Sequence, residues 1–136
     1  MPSTYAHRRF GANVLDHLPA PLREKLEAHR ELYDIGLHGP DLLFYYHAAQ
    51  VQPGELRWAT PCTSEPGRAF FDRARRVVHG EADRDAALAY ALGFVCHFAL
   101  DSTCHPYVEQ FTRESGVTHC EIETEFDNML LRRGRL

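Results

Sequence analysis

AALAYALGFVCHFALDSTCH, Ala86 to His105, is the stretch whose reading decides the fold. From Ala86 to Leu100 it carries no formal charge, with the titratable His97 among its apolar residues and Asp101 directly after them. At fifteen residues the run is shorter than the roughly 20 a bilayer-spanning helix needs. It predicts instead the central helix of a helical domain, buried on most of its faces. His97 and Asp101 are four residues apart, and His105 follows at the same interval. Their side chains therefore form one stripe along the helix. A lone carboxylate among apolar neighbours pays a desolvation penalty large enough to neutralise it, so a partner must hold the charge, and a metal ion is the simplest one.

Composition sets the frame for that helix. A chain of 136 residues is long enough to bury one core, and we expect residues 1–136 to form a single helical metal-binding domain. The formal net charge is −4 and the basic residues are scattered, apart from Arg132, Arg133 and Arg135, so no duplex nucleic-acid partner is expected. Nine histidines are the anomaly. The cysteines at 62, 96, 104 and 120 show no CxxC spacing, which argues against a ribbon-type zinc site and a thioredoxin motif. Cys96, Cys104 and Cys120 read as small core residues. The opening MPSTYAHRRFG has no apolar core of a secretory signal, so the expectation is a reduced, cytoplasmic protein. Nor do we find a lipid anchor or an amphipathic membrane helix.

Outward from the central stretch, the helical period recurs. Tyr5–Leu18 is a first helix, with Ala6, Phe10, Val14 and Leu18 as its stripe, Thr4 as a cap and His7 beside the stripe. After Pro19, a helix over Pro21–Leu32 turns Leu22, Leu26 and Leu32 inward, while His17 and His29 lie on solvated faces. The segment Gly36–Asp41 is a turn, and Asp41 is placed to cap the apolar run Leu42–His47. Ala48–Ser64 reads as irregular, a long loop carrying Trp58. Glu65–His79 is a helix with Phe70, Phe71, Ala74, Val77 and Val78 inward, His79 at its C-terminal dipole and Gly80 ending it. Asp83 caps the central helix. Pro106 is expected to end that helix near His105, with Tyr107–Glu114 restarting as a short one. Thr118 and Glu121 form a capping box for the last helix, which buries Ile122, Phe126, Met129 and Leu130. No stretch alternates with period two, so the fold class is all-α.

The last helix also carries His119 and Glu123 four apart, inside its apolar stripe. One such His–carboxylate pair is commonly a hydrogen-bonded core pair. Two pairs on two helices, with His105 at a junction and His7 and Asp41 at other element ends, point to metal. Imidazole and carboxylate are the ligands of catalytic zinc, and thiol-poor sets of this kind suit two metals that clamp a phosphoryl displacement.

HFALDSTCHPY and HCEIETEFD, preceded by MPSTYAH and GLHGPDLLFYY, resemble the bacterial zinc-dependent phospholipase C family. The likeness runs over nearly the whole chain, in the family's order. It implies the compact multi-helix fold shared with single-strand-specific zinc nucleases, and a site for two or three zinc ions. By that resemblance His97 and Asp101 match the His-x3-Asp helix whose Asp bridges two metals. His105, His119 and Glu123 match the ligands of another, Asp41 matches the loop Asp, and His7 matches the histidine of the third metal. The family's further histidine after the loop Asp is missing here, so either His47 or Cys62 substitutes for it or the first metal is weakly held. The N-terminal amine that ligates zinc in relatives corresponds to Pro2 once Met1 is removed. Relatives commonly continue with more helices beyond the equivalent of Glu123, so the resemblance implies a shortened version, in which either walls of the substrate cleft are missing or a second copy of the chain, in a homodimer, provides them.

The expected function is hydrolysis of a phosphodiester, either a small one or a phospholipid head group, with Asp41 as a ligand or as the catalytic base. Phe44, Tyr45, Tyr46 and Trp58 are candidates for the cleft wall. The alternatives are a metal-stabilised helical module without catalysis, and a nuclease using the same ligands.

Overall fold

The computed structural model describes residues 4–41 and 67–134. Among them are six α-helices, a single 3-10 turn and no strand: α1 (Thr4–His17), α2 (Ala20–Ala28), α3 (Arg30–Gly36), the 3-10 turn Gly39–Asp41, α4 (Gly67–Gly80), α5 (Arg84–Ser115) and α6 (His119–Arg133). The all-α expectation is met. Helix α5 is the spine, and every other helix packs against it.

Helix α5 starts where expected, with the Asp83 carboxylate accepting from the Ala86 N–H at 3.0 Å. It does not end at His105. It runs through Pro106 to Ser115 and stops at Gly116, which takes φ 73°. Pro106 has no N–H for the Ser102 carbonyl, and an interior proline costs about 3 kcal/mol. Packing against α1 and α6 on either side of Pro106 offsets that cost. At 32 residues α5 is, by length and composition alone, long and apolar enough to cross a membrane, which the fifteen-residue run did not suggest. Only Ala89, Gly93, Cys96 and His97 are fully buried along it. Tyr90, Val95 and Phe98 are exposed, so the expectation of burial on most faces fails.

The second expected helix is two. His29, at φ −122° and ψ 39°, breaks the run between α2 and α3. Leu26 and Tyr33 are buried on either side of the break, whereas Leu32 is exposed. Tyr33, which the period did not single out, donates its hydroxyl to the Gly11 carbonyl at 2.9 Å and lies 3.4 Å from the Cys96 sulfur. The core is Leu15, Leu26, Tyr33, Leu37, Ala89 and Cys96, flanked by Phe10, Val14, Leu18, Leu22 and Leu92. In α1 the fully buried line is Ala6, His7, Gly11 and Leu15, with Phe10, Val14 and Leu18 at its edge. Two further inward assignments fail. Val77 is 61% exposed and Phe126 44% exposed, because the described elements cover α4 and α6 on one side alone. Of the three described cysteines, Cys96 alone is buried; Cys104 is half-buried and Cys120 exposed.

Two glycines let α3 lie directly on α5. A Cβ on Gly36 would strike the Tyr90 carbonyl, and one on Gly93 would strike the Tyr33 carbonyl. These obstacles are backbone and do not swing aside. Gly93→Ala is therefore expected to lower stability by about 1–3 kcal/mol, read as a fall of several degrees in the thermal melting midpoint; an unchanged midpoint would mean that the two helices are not in backbone contact.

Candidate metal centre

Four elements converge on one patch, two of them bringing their side chains by local rules already visible in the sequence. The i, i+4 spacing on α5 stacks His97, Asp101 and His105 on one face. The same spacing on α6 stacks His119 and Glu123, just inside an N-terminus closed by the Thr118–Glu121 capping box. His7 comes from the first turn of α1, and Asp41 from the 3-10 turn.

Asp101 is the hub. Its Oδ1 lies 3.2 Å from His7 Nε2 and 3.5 Å from His105 Nε2, and its Oδ2 lies 3.1 Å from His97 Nε2. From there the set extends in both directions. Asp41 Oδ2 is 3.9 Å from His97 Nε2. Glu123 Oε1 is 3.8 Å from His105 Nε2 and 2.8 Å from His119 Nε2. All seven expected ligands within the described residues thus form one unbroken chain of contacts. They divide into two groups, His7–His97–Asp101 and His105–His119–Glu123, with the ligand atoms of each group within 4.8 Å of one another. Pro2, His47 and Cys62 lie outside the described residues, as do Phe44, Tyr45, Tyr46, Trp58 and the run Asp41 was expected to cap.

His97 is locked from behind. Its Nδ1 is 3.1 Å from the Leu37 carbonyl, and a carbonyl only accepts, so Nδ1 carries the proton. In the neutral ring, Nε2 then aims a lone pair at the Asp101 carboxylate, and only a proton or a cation between them makes that contact favourable. The His7 ring stacks on His97 with centroids 4.2 Å apart, a poor arrangement for two imidazolium charges. His7 Nδ1 is buried with no hydrogen-bond partner among the described residues. Gly39, at φ 54°, lies flat against the His97 ring where a Cβ would collide with it.

The charge balance points the same way. Burial pushes the Asp101 carboxyl up, but the bonds from His7 and His97 and their charges outweigh it and hold it well below the usual carboxylate range. Burial tends to lower the His97 pKa, and the Asp101 bond reverses this, leaving it raised. Asp41 has no such close partner. Burial first, opposed by His97 and reinforced by Asp101, pushes its carboxyl up to about 6. A bare lone pair, an unsatisfied buried nitrogen and an under-compensated carboxylate are what a divalent cation would relieve. The imidazole–carboxylate donor set fits zinc.

Residues 6–135 match the family model of zinc-dependent phospholipase C. The chain belongs to that family. No curated protein and no solved structure matches it. Zinc is the metal that the family and the donor set share.

The ligands need a frame, and one framing residue of this zinc-dependent phospholipase C family member escaped the sequence reading. The Asp127 carboxylate of α6 accepts from the Tyr5 N–H at 3.0 Å and the Ala6 N–H at 2.9 Å, at the very start of α1. Thr4, expected to cap α1, lies inside the helix instead. Arg9 and the Tyr5 hydroxyl add bonds to the Leu130 and Gly134 carbonyls. Asp127 stands four residues beyond Glu123, so the stripe His119–Glu123–Asp127 runs along one face of α6. That continuation of the i, i+4 pattern was the available signal. Asp127→Ala removes the acceptor for two helix N–H groups one residue before His7. It should cost about 1–2 kcal/mol of stability and lower the zinc retained per chain after dialysis, read by melting and elemental analysis; unchanged zinc content would show that α1 is positioned without Asp127.

Proposed function

We propose that this chain is a zinc-dependent phosphodiester hydrolase of the phospholipase C type. The observation that carries the reading is the contact chain from Asp41 through His97, Asp101 and His105 to Glu123 and His119, with no described Lys or Arg within ion-pair distance of it. His7, His97 and Asp101 would hold one ion and His105, His119 and Glu123 a second, with Asp101 shared between them by virtue of its central position. Zinc bound there supplies Lewis acidity toward a phosphoryl oxygen and brings the pKa of a coordinated water toward 7.

The protein's own groups do the rest. The Leu37 carbonyl fixes the His97 tautomer, so that Nε2 stays available as a donor atom. Asp127 fixes α1 and with it His7. Asp41 Oδ2, whose carboxyl is pushed up to about 6 by burial, is the group suited to take the proton from the attacking water. It stands on a glycine–proline turn, which holds it beside His97 without adding a side chain between them.

Asp101→Asn keeps the size of the side chain and removes the charge that three imidazoles share. The variant should lose zinc on dialysis and hydrolyse bis(p-nitrophenyl) phosphate at least about 100-fold more slowly. Exhaustive chelation of the native chain should abolish turnover and lower the melting midpoint, and added zinc should restore both. Zinc-dependent stability with no turnover of any phosphodiester would overturn the enzymatic reading in favour of a metal-stabilised module.

A further inference from the structure

Helix α4, GRAFFDRARRVVHG, segregates its residues into two faces more sharply than any other helix here. Four arginines, Arg68, Arg73, Arg75 and Arg76, face a single aspartate, Asp72, on a chain whose formal net charge is −4. All four arginines are exposed. Arg68 and Asp72 approach only to 4.0 Å, with both side chains well exposed. At about 100° per residue, Arg73 and Arg75 border the two sides of the apolar strip formed by Phe70, Phe71, Ala74, Val77 and Val78. No residue of α4 is fully buried, and Val77 is 61% exposed. The helix is held to α5 by ring contacts, Phe70 on Phe94 at 4.8 Å and Phe71 on Phe98 at 5.2 Å between centroids. Between the two helices lies a largely apolar cleft of about 920 Å³, lined by Leu32, Pro40, Phe70, Ala74, Tyr90 and Phe94 among others.

Against the expectation of no amphipathic membrane helix, we propose that α4 docks on the head-group layer of an anionic phospholipid bilayer. The arginines meet lipid phosphates while their stems and the exposed edge of the apolar strip enter the acyl boundary, which is how a basic amphipathic helix lies at an interface. Charge complementarity selects this occupant. The chain as a whole carries the wrong sign to attract an anionic surface, and α4 concentrates the opposite sign beside exposed apolar groups. A polynucleotide would match the arginines and leave the Val77 edge without a partner. Phe94 lines the cleft behind α4, and the Phe94 and His97 ring centroids are 6.2 Å apart, so the cleft lies behind His97, while His7, Asp101, His105 and Glu123 line a separate pocket. The docking does not rest on the hydrolase reading above.

The test is sedimentation of the intact, zinc-loaded chain with phosphatidylcholine vesicles and with vesicles mixing phosphatidylcholine and phosphatidylglycerol. The chain should bind the mixed vesicles, bind pure phosphatidylcholine far more weakly, and release as salt rises. The double variant Arg75→Gln, Arg76→Gln should bind the mixed vesicles about 30-fold more weakly, from roughly 5-fold per removed charge. Its melting midpoint and its hydrolysis of soluble bis(p-nitrophenyl) phosphate should stay as in the native chain. Equal binding by the variant, absence of vesicle binding by the native chain, or binding of single-stranded polynucleotide in place of vesicles would overturn the docking. Hydrolysis of the soluble ester without vesicle binding would sink this inference alone. Vesicle binding without hydrolysis of any ester would leave α4's role intact and remove the hydrolase reading.

Discussion

Three imidazole nitrogens crowd the Asp101 carboxylate, and the packing of the described helices can be understood as what that contact demands. A carboxylate pressed between helices is costly unless positive charge or donors surround it. Here the surrounding nitrogens come from two helices, His7 on α1 and His97 and His105 on α5. Bringing His7 to Asp101 requires α1 to lie across the second half of α5. That placement is secured from the far side by Asp127, which reaches from α6 to the first amides of α1. The same α6 face then carries Glu123 and His119 to His105. Asp101 thus couples α1 to α5, Glu123 couples α5 to α6, and Asp127 ties α6 back to α1.

The persistence of α5 through Pro106 follows from that coupling. If the helix stopped at His105, the imidazole would no longer stand one turn above Asp101. His105 sits between Asp101 and Glu123, 3.5 and 3.8 Å away, and its ring meets that of His119 edge-on at 5.0 Å between centroids. Proline's penalty is local and bounded, whereas a break would displace a residue at the junction of both ligand groups. The close approach of α3 through Gly36 and Gly93 works toward the same end. It carries Leu37 to the back of His97 and leaves the Gly39–Asp41 turn in front of it.

The legible part of this arrangement was the part that a helix imposes on its own neighbours. His97–Asp101–His105 and His119–Glu123 could be read as stripes because helical geometry is local, and the Asp83 and Thr118–Glu121 caps for the same reason. That His7 and Asp41 join those stripes followed from the resemblance to the zinc-dependent phospholipase C family, since nothing in spacing alone brings α1 or the 3-10 turn to α5. What stayed hidden depended on tertiary context. The break at His29 has no glycine or proline to announce it. Phe126 and Val77 obey the helical period, yet face outward because no described element covers that side of α6 or α4. Asp127 reads as an ordinary surface acid until α1 is placed upon it.

Helix α5 also explains how chemistry that needs charge can sit next to a surface that needs grease. Its residues three and four apart share a face, so Phe94, His97, Phe98 and Asp101 all fall within one arc of about 100°. At one edge of that arc His97 meets Asp101 and the Leu37 carbonyl, and toward the other Phe94 and Phe98 meet the rings of α4. The apolar cleft and the ligand chain are separated by little more than the thickness of one imidazole ring, with Phe94 on one side of His97 and Asp101 on the other. An apolar group resting in the cleft would help exclude water from the back of the ligand set, and exclusion of water strengthens every electrostatic contact there. A helix so apolar that it could pass by composition for a membrane span is, on this view, apolar because one edge of that arc walls a cleft and the other dehydrates a cluster of imidazoles and carboxylates.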